Sequence, residues 1–540
     1  VTLLPSPPVR RPAPALALAW VAVATFTLLT SGVRASAQDR GRDRDRERDP
    51  APERQGFRMV SPNFLLYGNG RTAEARRLLR DLETFRHVVS RFLGLTNVQR
   101  RPALVFLFRD DASFQPFKPR HNGQPAPVSG FHSEDPMDYA IALSRQNRDT
   151  ATMRVLYHEY THLLTARQFR HAPLWLHEGV AEVFSSFESD GDRFDIGIAL
   201  TNHAFHLQRH PPLAVRALLP ITRDSPDYNE QQRAGSFYAS SWLLAHHLLF
   251  ARRGFESNVV ARYATACATT TNQFLAFQSA FGVSHLDLDP ALNAYVRGGS
   301  YTIVRQSYPD LDVARSREMP LSPGEWDYAL GRLLQLTRQD DPARERLLAA
   351  SRAAPNDPRP FEALTLLAWR HGDRPAMRGF ITKALANDSR DAFLHFLAGD
   401  AAYLELQRLR ALTGQPPTPD SLAEGRRHCQ RAIELDPWLA PAHHLLGVYT
   451  LVEHPATPAL AAHHVQKALE CDPLFKPAWL TAASLAAAQG NFGQARLILA
   501  NLLAGPITED LRAAARQVAT EIERRLGPPR GGAGGPPPPP

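Results

Sequence analysis

The stretch His158-Glu159-Tyr160-Thr161-His162 puts two imidazoles four residues apart with a carboxylate between them. On a helix that spacing is about one turn (~3.6 residues), so both rings can reach one metal ion from one face. Glu159 then lies beside the same ion, where it can take a proton from a metal-bound water. This is the chemistry of a zinc hydrolase. The pattern fixes only three positions, and a chain with 21 His can produce it by chance. The surroundings must decide.

Pro173-Leu-Trp-Leu-His-Glu-Gly-Val-Ala-Glu182 follows just downstream. Pro173 suits the start of a second helix. On that helix Glu178 and Glu182 are again one turn apart. Zinc sites of the thermolysin type take two His from one helix and a Glu from the next, which makes Glu178 the third ligand. Glu182, one turn on, can accept the free ring N–H of a ligand His and fix its tautomer. The extended metzincin pattern needs Gly at 165 and His at 168, where this chain has Thr165 and Gln168. His177 sits next to Glu178, and neighbours on a helix point about 100° apart, so the two do not share one ion. His171 reads as a loop histidine. His246 and His247 read as packing or surface residues, and Trp175 and Trp242 as core.

The two motifs together resemble the peptidase MA-like gluzincins, relatives of thermolysin and the zinc aminopeptidases, over about residues 57–300. The resemblance implies that His158, His162 and Glu178 bind one zinc ion, that Glu159 is the general base, and that Glu182 is an acidic supporting residue. It implies an oxyanion donor at Tyr238, with Tyr228 as the rival. It also implies that the strand before the motif helix, Tyr139–Leu143, with the loop around Gly130-Phe131-His132, forms a sheet edge that pairs with a peptide substrate; an ordinary core strand is the competing reading. The gap from His162 to Glu178 is shorter than in the zinc aminopeptidases. No Gly-x-Met-x-Asn-type motif stands upstream, so exopeptidase specificity does not carry over.

Around these motifs the elements follow from periodicity. Residues 57–148 read as α/β: strands at Asn63–Tyr67, Ala103–Phe108 and Tyr139–Leu143, and a helix from Thr72 to Phe92. Residues 149–300 read as mostly helical, with a strong helix from Ser236 to Phe250 and another ending at Gly282. The fold expected for 57–300 is an α+β zincin-like catalytic domain: a small N-terminal sheet with helices, then a helical lower subdomain.

From 324 to 526 the pattern changes to paired helices. Asp-containing turns recur at Asp357, Asp388, Asp436 and Asp472, at intervals near the roughly 34 residues of a tetratricopeptide repeat. The longest interval holds Leu412-Thr-Gly-Gln-Pro-Pro-Thr-Pro-Asp420, read as a loop insertion. About five helix pairs fit between Trp326 and Leu503, closed by a polar capping helix from Thr508 to Leu526. The expectation is an all-α tetratricopeptide solenoid whose concave surface binds a protein partner.

The 540 residues suffice for two or more domains. The net charge of +8 is spread along the chain without aromatic interleaving, so no nucleic-acid partner is indicated. Residues 1–37 read as an export signal: Arg10 and Arg11, an apolar run from Ala13 to Leu29, then Ala35-Ser36-Ala37. That reading predicts a periplasmic or extracellular protein with no stable membrane span after cleavage. An uncleaved anchor is the competing reading. Residues 38–56, dense in both charges, read as a disordered linker, and 527–540 as a disordered Pro/Gly-rich tail. The three Cys are too sparse for a disulfide framework, and Cys429 and Cys471 read as buried thiols within repeats. The function expected is an exported zinc metallopeptidase with a protein-binding repeat array. The alternatives are a tetratricopeptide interaction scaffold whose zincin domain is vestigial or structural, and a zinc hydrolase acting on a non-peptide amide.

Overall fold

The computed structural model describes residues 56–526, apart from 97, 99–100, 146–149, 191–192, 230, 271, 308–315, 455–456 and 506. The expected signal (1–37), nearly all of the linker and the tail (527–540) lie outside the described residues. The chain divides into two compact units between Gln339 and Asp340.

The unit ending at Gln339 is built on a six-stranded sheet. Its spatial order is Arg317–Met319, Phe57–Val60, Phe64–Gly68, Ala103–Phe108, Tyr139–Ser144, Gly130–Glu134. Phe64–Gly68, Ala103–Phe108 and Tyr139–Ser144 run parallel, and Gly130–Glu134 pairs antiparallel to Tyr139–Ser144 with His132 opposite Ile141. Tyr139–Ser144 is buried along its whole length and lies between two neighbours. It is an interior strand, so the expectation that it forms the sheet edge is corrected. An unbroken apolar run marks a strand covered on both faces, and the edge is Gly130–Glu134.

One face of this sheet shares a single core with two helices. Phe64, Leu66, Val105, Leu107, Ile141 and Leu143 pack with Leu79, Leu82 and Phe85 of helix Thr72–Phe92 and with Leu156, Tyr157, Tyr160 and Leu164 of helix Thr150–Thr165. The opposite face carries stacked aromatics, Tyr67 on Phe106 and Phe108 on Phe114 and Phe117. The helices Leu174–Ser185, Thr201–Arg209 and Gln231–His246 follow, with a three-stranded sheet of Glu188–Ser189, Arg193–Ile196 and Val304–Ser307.

Helix Glu325–Leu336, which the sequence reading places at the start of the repeats, belongs to this first unit. Its buried Arg332 donates to Asp135 (3.1 Å) and Asp138 (2.6 Å) in the turn between the last two strands of the sheet. Its buried Glu325 accepts from Arg58 (2.6 Å) and Tyr67 (3.0 Å).

The second unit begins with helix Asp340–Ala353 and continues as paired helices. The pairs are Pro358–His371 with Arg374–Ala386, Ala392–Thr413 with Pro419–Leu435, Ala440–Glu453 with Pro458–Cys471, and Lys476–Ala488 with Phe492–Ala504; Glu509–Leu526 closes the array. The recurring Asp residues do turn chemistry. Asp357, Asp436 and Asp472 each accept a backbone N–H two residues on, at 3.0, 3.1 and 2.9 Å. The expected loop insertion is partly absorbed into helix: Ala392–Thr413 runs 22 residues and ends at Gly414, and the next helix starts at Pro419. Cys429 is buried as expected, whereas Cys471 is only half-buried.

Candidate metal centre

The rotation of helix Thr150–Thr165 is fixed by its core side. Tyr157 stacks on Phe85 at 4.3 Å between ring centroids. Tyr160 lies against Phe64 and accepts a hydrogen bond from Arg86 (3.1 Å). With those rings buried, His158 and His162 project from another face of the helix. Their Nε2 atoms stand 3.1 Å apart. Glu178, buried on helix Leu174–Ser185, brings Oε2 to 3.5 Å from each of those nitrogens. A four-coordinate zinc with bonds of about 2.1 Å needs its ligand atoms about 3.4 Å apart, so the three donors fit that ion. They are the one such His/Cys/Asp/Glu group found among the described residues.

The electrostatics match the geometry. Burial raises the Glu178 carboxyl, but the charge of His162 and the hydrogen bonds from both imidazoles outweigh it and hold the group well below the usual carboxylate range. Burial likewise lowers His158. The Glu178 hydrogen bond and the charges of Glu182, Glu178 and Glu159 overcome it and raise the imidazole to about 9. Three negative side chains therefore converge on a site that favours positive charge.

Glu182 stands where the sequence reading puts it. Its Oε1 is 3.6 Å from Nδ1 of His158, the ring nitrogen turned away from the other ligands. Its Oε2 is 3.1 Å from Nε2 of His203 on helix Thr201–Arg209, a residue the sequence reading does not single out. Glu159 has an unforeseen neighbour too. His132, on the edge strand Gly130–Glu134 and on the face that carries helix Thr150–Thr165, brings Nε2 to 3.5 Å from Glu159 Oε2. Burial lowers the His132 pKa, with Glu159 opposing.

Tyr238 lies on helix Gln231–His246 within electrostatic reach of Glu178 and Glu182. Its ring packs against that of Tyr228, with the centroids 6.1 Å apart. Burial first, then the nearby carboxylates, pushes both phenols up, so both stay protonated. The two rivals for the donor role thus lie side by side at the site.

The helix carrying Tyr238 comes close because of Gly179, next to Glu178. A Cβ at Gly179 would stand 2.5 Å from the Ser241 carbonyl oxygen and 3.0 Å from the Ala245 Cβ. The remaining histidines fall outside the group. His177 packs its ring edge-on to Phe169 at 6.4 Å between centroids, and burial lowers it to about 4. His246 is buried, with Nε2 2.9 Å from the Gly197 carbonyl. His171 is exposed beside Arg170. Trp175 and Trp242 are fully buried.

No family model matches the chain, and no curated protein matches it. Among solved structures it is similar to YrrB, described as a tetratricopeptide protein with an unusual peptide-binding site (15% identity, covering 36% of this chain and 91% of that one, TM-score 0.27). It is similar to PilF of Pseudomonas aeruginosa (19% identity, 37% and 91%, TM-score 0.27). It is also similar to the C-terminal part of a tetratricopeptide repeat-containing protein from Cytophaga hutchinsonii (13% identity, 50% and 98%, TM-score 0.25). The resemblance to the gluzincins is therefore corrected: no family model and no curated protein of that family matches the chain. The physical reason is that the paired motifs fix a handful of ligand positions on two helices. They report how a metal can be held, and that arrangement does not specify descent. The candidate metal centre rests on its own distances.

Proposed function

We propose that the protein is a tetratricopeptide-type scaffold that binds other proteins through residues 340–526. The observation that carries this reading is the succession of helix pairs from Pro358–His371 to Phe492–Ala504. Stacked pairs bury a continuous core and leave an extended surface suited to peptide or protein ligands. Screening the full chain against a peptide library, with hydrogen exchange on the hits, tests it. Saturable binding with protection within 358–504 is expected, and binding that protects only the other unit would sink it. Residues 1–37, read as a signal, would place this work in the periplasm or outside the cell. Among the described residues, no helix is long and apolar enough to cross a membrane.

A second reading, of the other unit, is favoured by the donor triangle of His158, His162 and Glu178 at 3.1, 3.5 and 3.5 Å. In this reading these residues hold one zinc ion and the unit hydrolyses an amide bond, a peptide bond being the first substrate to test. When bound, zinc would supply a Lewis acid and lower the pKa of a coordinated water from about 15.7 to near 7. Glu159 would take the proton and later carry it to the leaving amine. The Tyr228–Tyr238 pair would offer an O–H donor to the developing oxyanion.

Metal analysis and peptidase profiling of wild type, Glu159→Gln and Glu178→Ala separate the outcomes. We expect about one zinc per chain in wild type and in Glu159→Gln, a 10²- to 10⁴-fold loss of turnover in Glu159→Gln, and loss of zinc in Glu178→Ala. Bound zinc with no activity that depends on Glu159 would leave a structural metal in a scaffold.

A further inference from the structure

We propose that His203 is a positioning residue for the metal centre: it holds the Glu182 carboxylate, which in turn holds the His158 imidazole toward the ion. The inference rests on the zinc reading of His158, His162 and Glu178.

A line of polar contacts runs away from the metal position through buried groups. His158 turns Nε2 to the other ligands and Nδ1 to Glu182 Oε1, 3.6 Å away. Glu182 turns its second oxygen to His203 Nε2, 3.1 Å away. The Glu182 side chain is largely buried and His203 more so, at 8% exposure. A buried carboxylate must have both oxygens satisfied or it neutralises or turns away. His158 Nδ1 approaches one oxygen at 3.6 Å and His203 Nε2 the other at 3.1 Å, charge contacts that stand outside hydrogen-bond geometry. His203 reaches Glu182 from a third helix, Thr201–Arg209, on which His203 and Leu207 form the buried stripe. The Trp242 ring, 5.9 Å from the His203 ring between centroids, backs the imidazole. The ligand helix, the helix of Glu182 and the helix of His203 are thereby linked through side chains whose orientation sets the direction of His158 Nε2. Partners beyond the ligands tune metal affinity by about 10- to 100-fold.

The test is the zinc dissociation constant of the full chain, measured by competition with a chromophoric chelator, for wild type, His203→Ala, His203→Gln, Glu182→Ala and the double variant Glu182→Ala/His203→Ala. Far-UV circular dichroism and a melt of each metal-free protein check folding. His203→Ala is expected to weaken zinc binding 10- to 100-fold. His203→Gln, whose amide N–H can take the place of Nε2–H, is expected to recover most of the loss. Adding His203→Ala to Glu182→Ala should cost nothing further, because the contact it removes is already gone. A wild type that binds zinc together with a His203→Ala variant within twofold of it overturns the role of His203 and leaves the ligand set standing. A His203→Ala loss that adds in full to Glu182→Ala also overturns it, since His203 would then act through another group. A wild type without stoichiometric zinc removes the ligand reading itself, and this inference with it.

Discussion

At the scale of residues, the Tyr228–Tyr238 pair decides how the site should respond to substitution. Each ring packs against the other at 6.1 Å between centroids, and both phenols are held protonated by burial and by the carboxylates nearby. Groups that act as a unit are not additive. Tyr228→Phe, Tyr238→Phe and the double variant are each expected to lower turnover by a similar factor, about 10² to 10³, with zinc affinity unchanged. Steady-state kinetics beside a zinc titration checks this. Single losses that multiply in the double variant would mean two independent donors. The candidate ligands could be read from the chain because helix spacing alone brings His158 to His162, and the next helix supplies Glu178 and Glu182. His132 and His203 could not. They reach Glu159 and Glu182 from a strand and a helix elsewhere in the fold, and no periodicity in the sequence connects them.

At the scale of elements, the crossing of Leu174–Ser185 over Gln231–His246 sets the distance between the candidate ligand Glu178 and Tyr238. Gly179 is the point of closest approach, and its space is closed by backbone, the Ser241 carbonyl, which cannot rotate away as a side chain can. Gly179→Ala therefore overpacks the crossing and is expected to cost about 1–3 kcal/mol, and to reduce turnover more than it reduces zinc binding, because the tyrosines move away from the ligands. Gly235, on the Tyr238 helix, gives the opposite expectation. A Cβ there meets only the His206 ring at 3.7 Å or beyond, so Gly235→Ala removes backbone freedom from the unfolded chain and should add about 0.5–1 kcal/mol. Denaturant midpoints of the two variants, read against wild type, check both signs. The sequence placed both helices, but the glycine that brings them together looks there like any helix-interior glycine. What distinguishes Gly179 from Gly235 is the neighbouring helix, which only the packed structure supplies.

At the scale of the whole molecule, the division at Gln339 shows where periodicity stops being informative. Helix Glu325–Leu336 carries the same apolar spacing as a repeat helix, and the sequence reading counts it as one. Its placement is settled by polar partners far away in the chain: Arg332 to Asp135 and Asp138, and Glu325 to Arg58 and Tyr67. The array beyond is legible because its turns are local, with Asp357, Asp436 and Asp472 each capping its own corner. In such an array each helix pair answers mainly to its neighbours, so a half-buried charge in one pair acts on that part of the unit. Asp400, on helix Ala392–Thr413, is such a charge. Burial raises its carboxyl to about 6, with Arg374 partly opposing. Below about pH 4 the group is protonated in both folded and unfolded chains and costs nothing. Between about pH 4 and 6 the unfolded chain has lost the proton while the folded chain still holds it, so stability falls as pH rises. Above about pH 6 both are ionised and the loss is complete. A shift of about two units corresponds to at most about 3 kcal/mol. Asp400→Asn removes the ionisation, so the variant should be more stable than wild type at pH 7, and the difference should shrink toward pH 4. Hydrogen exchange of the full chain, followed over residues 392–435 with denaturant at pH 4, 5.5 and 7, measures it where it acts. A wild type whose protection in that segment rises from pH 4 to 7, relative to the variant, would show that the Asp400 carboxylate is stabilised in the fold instead of strained by it.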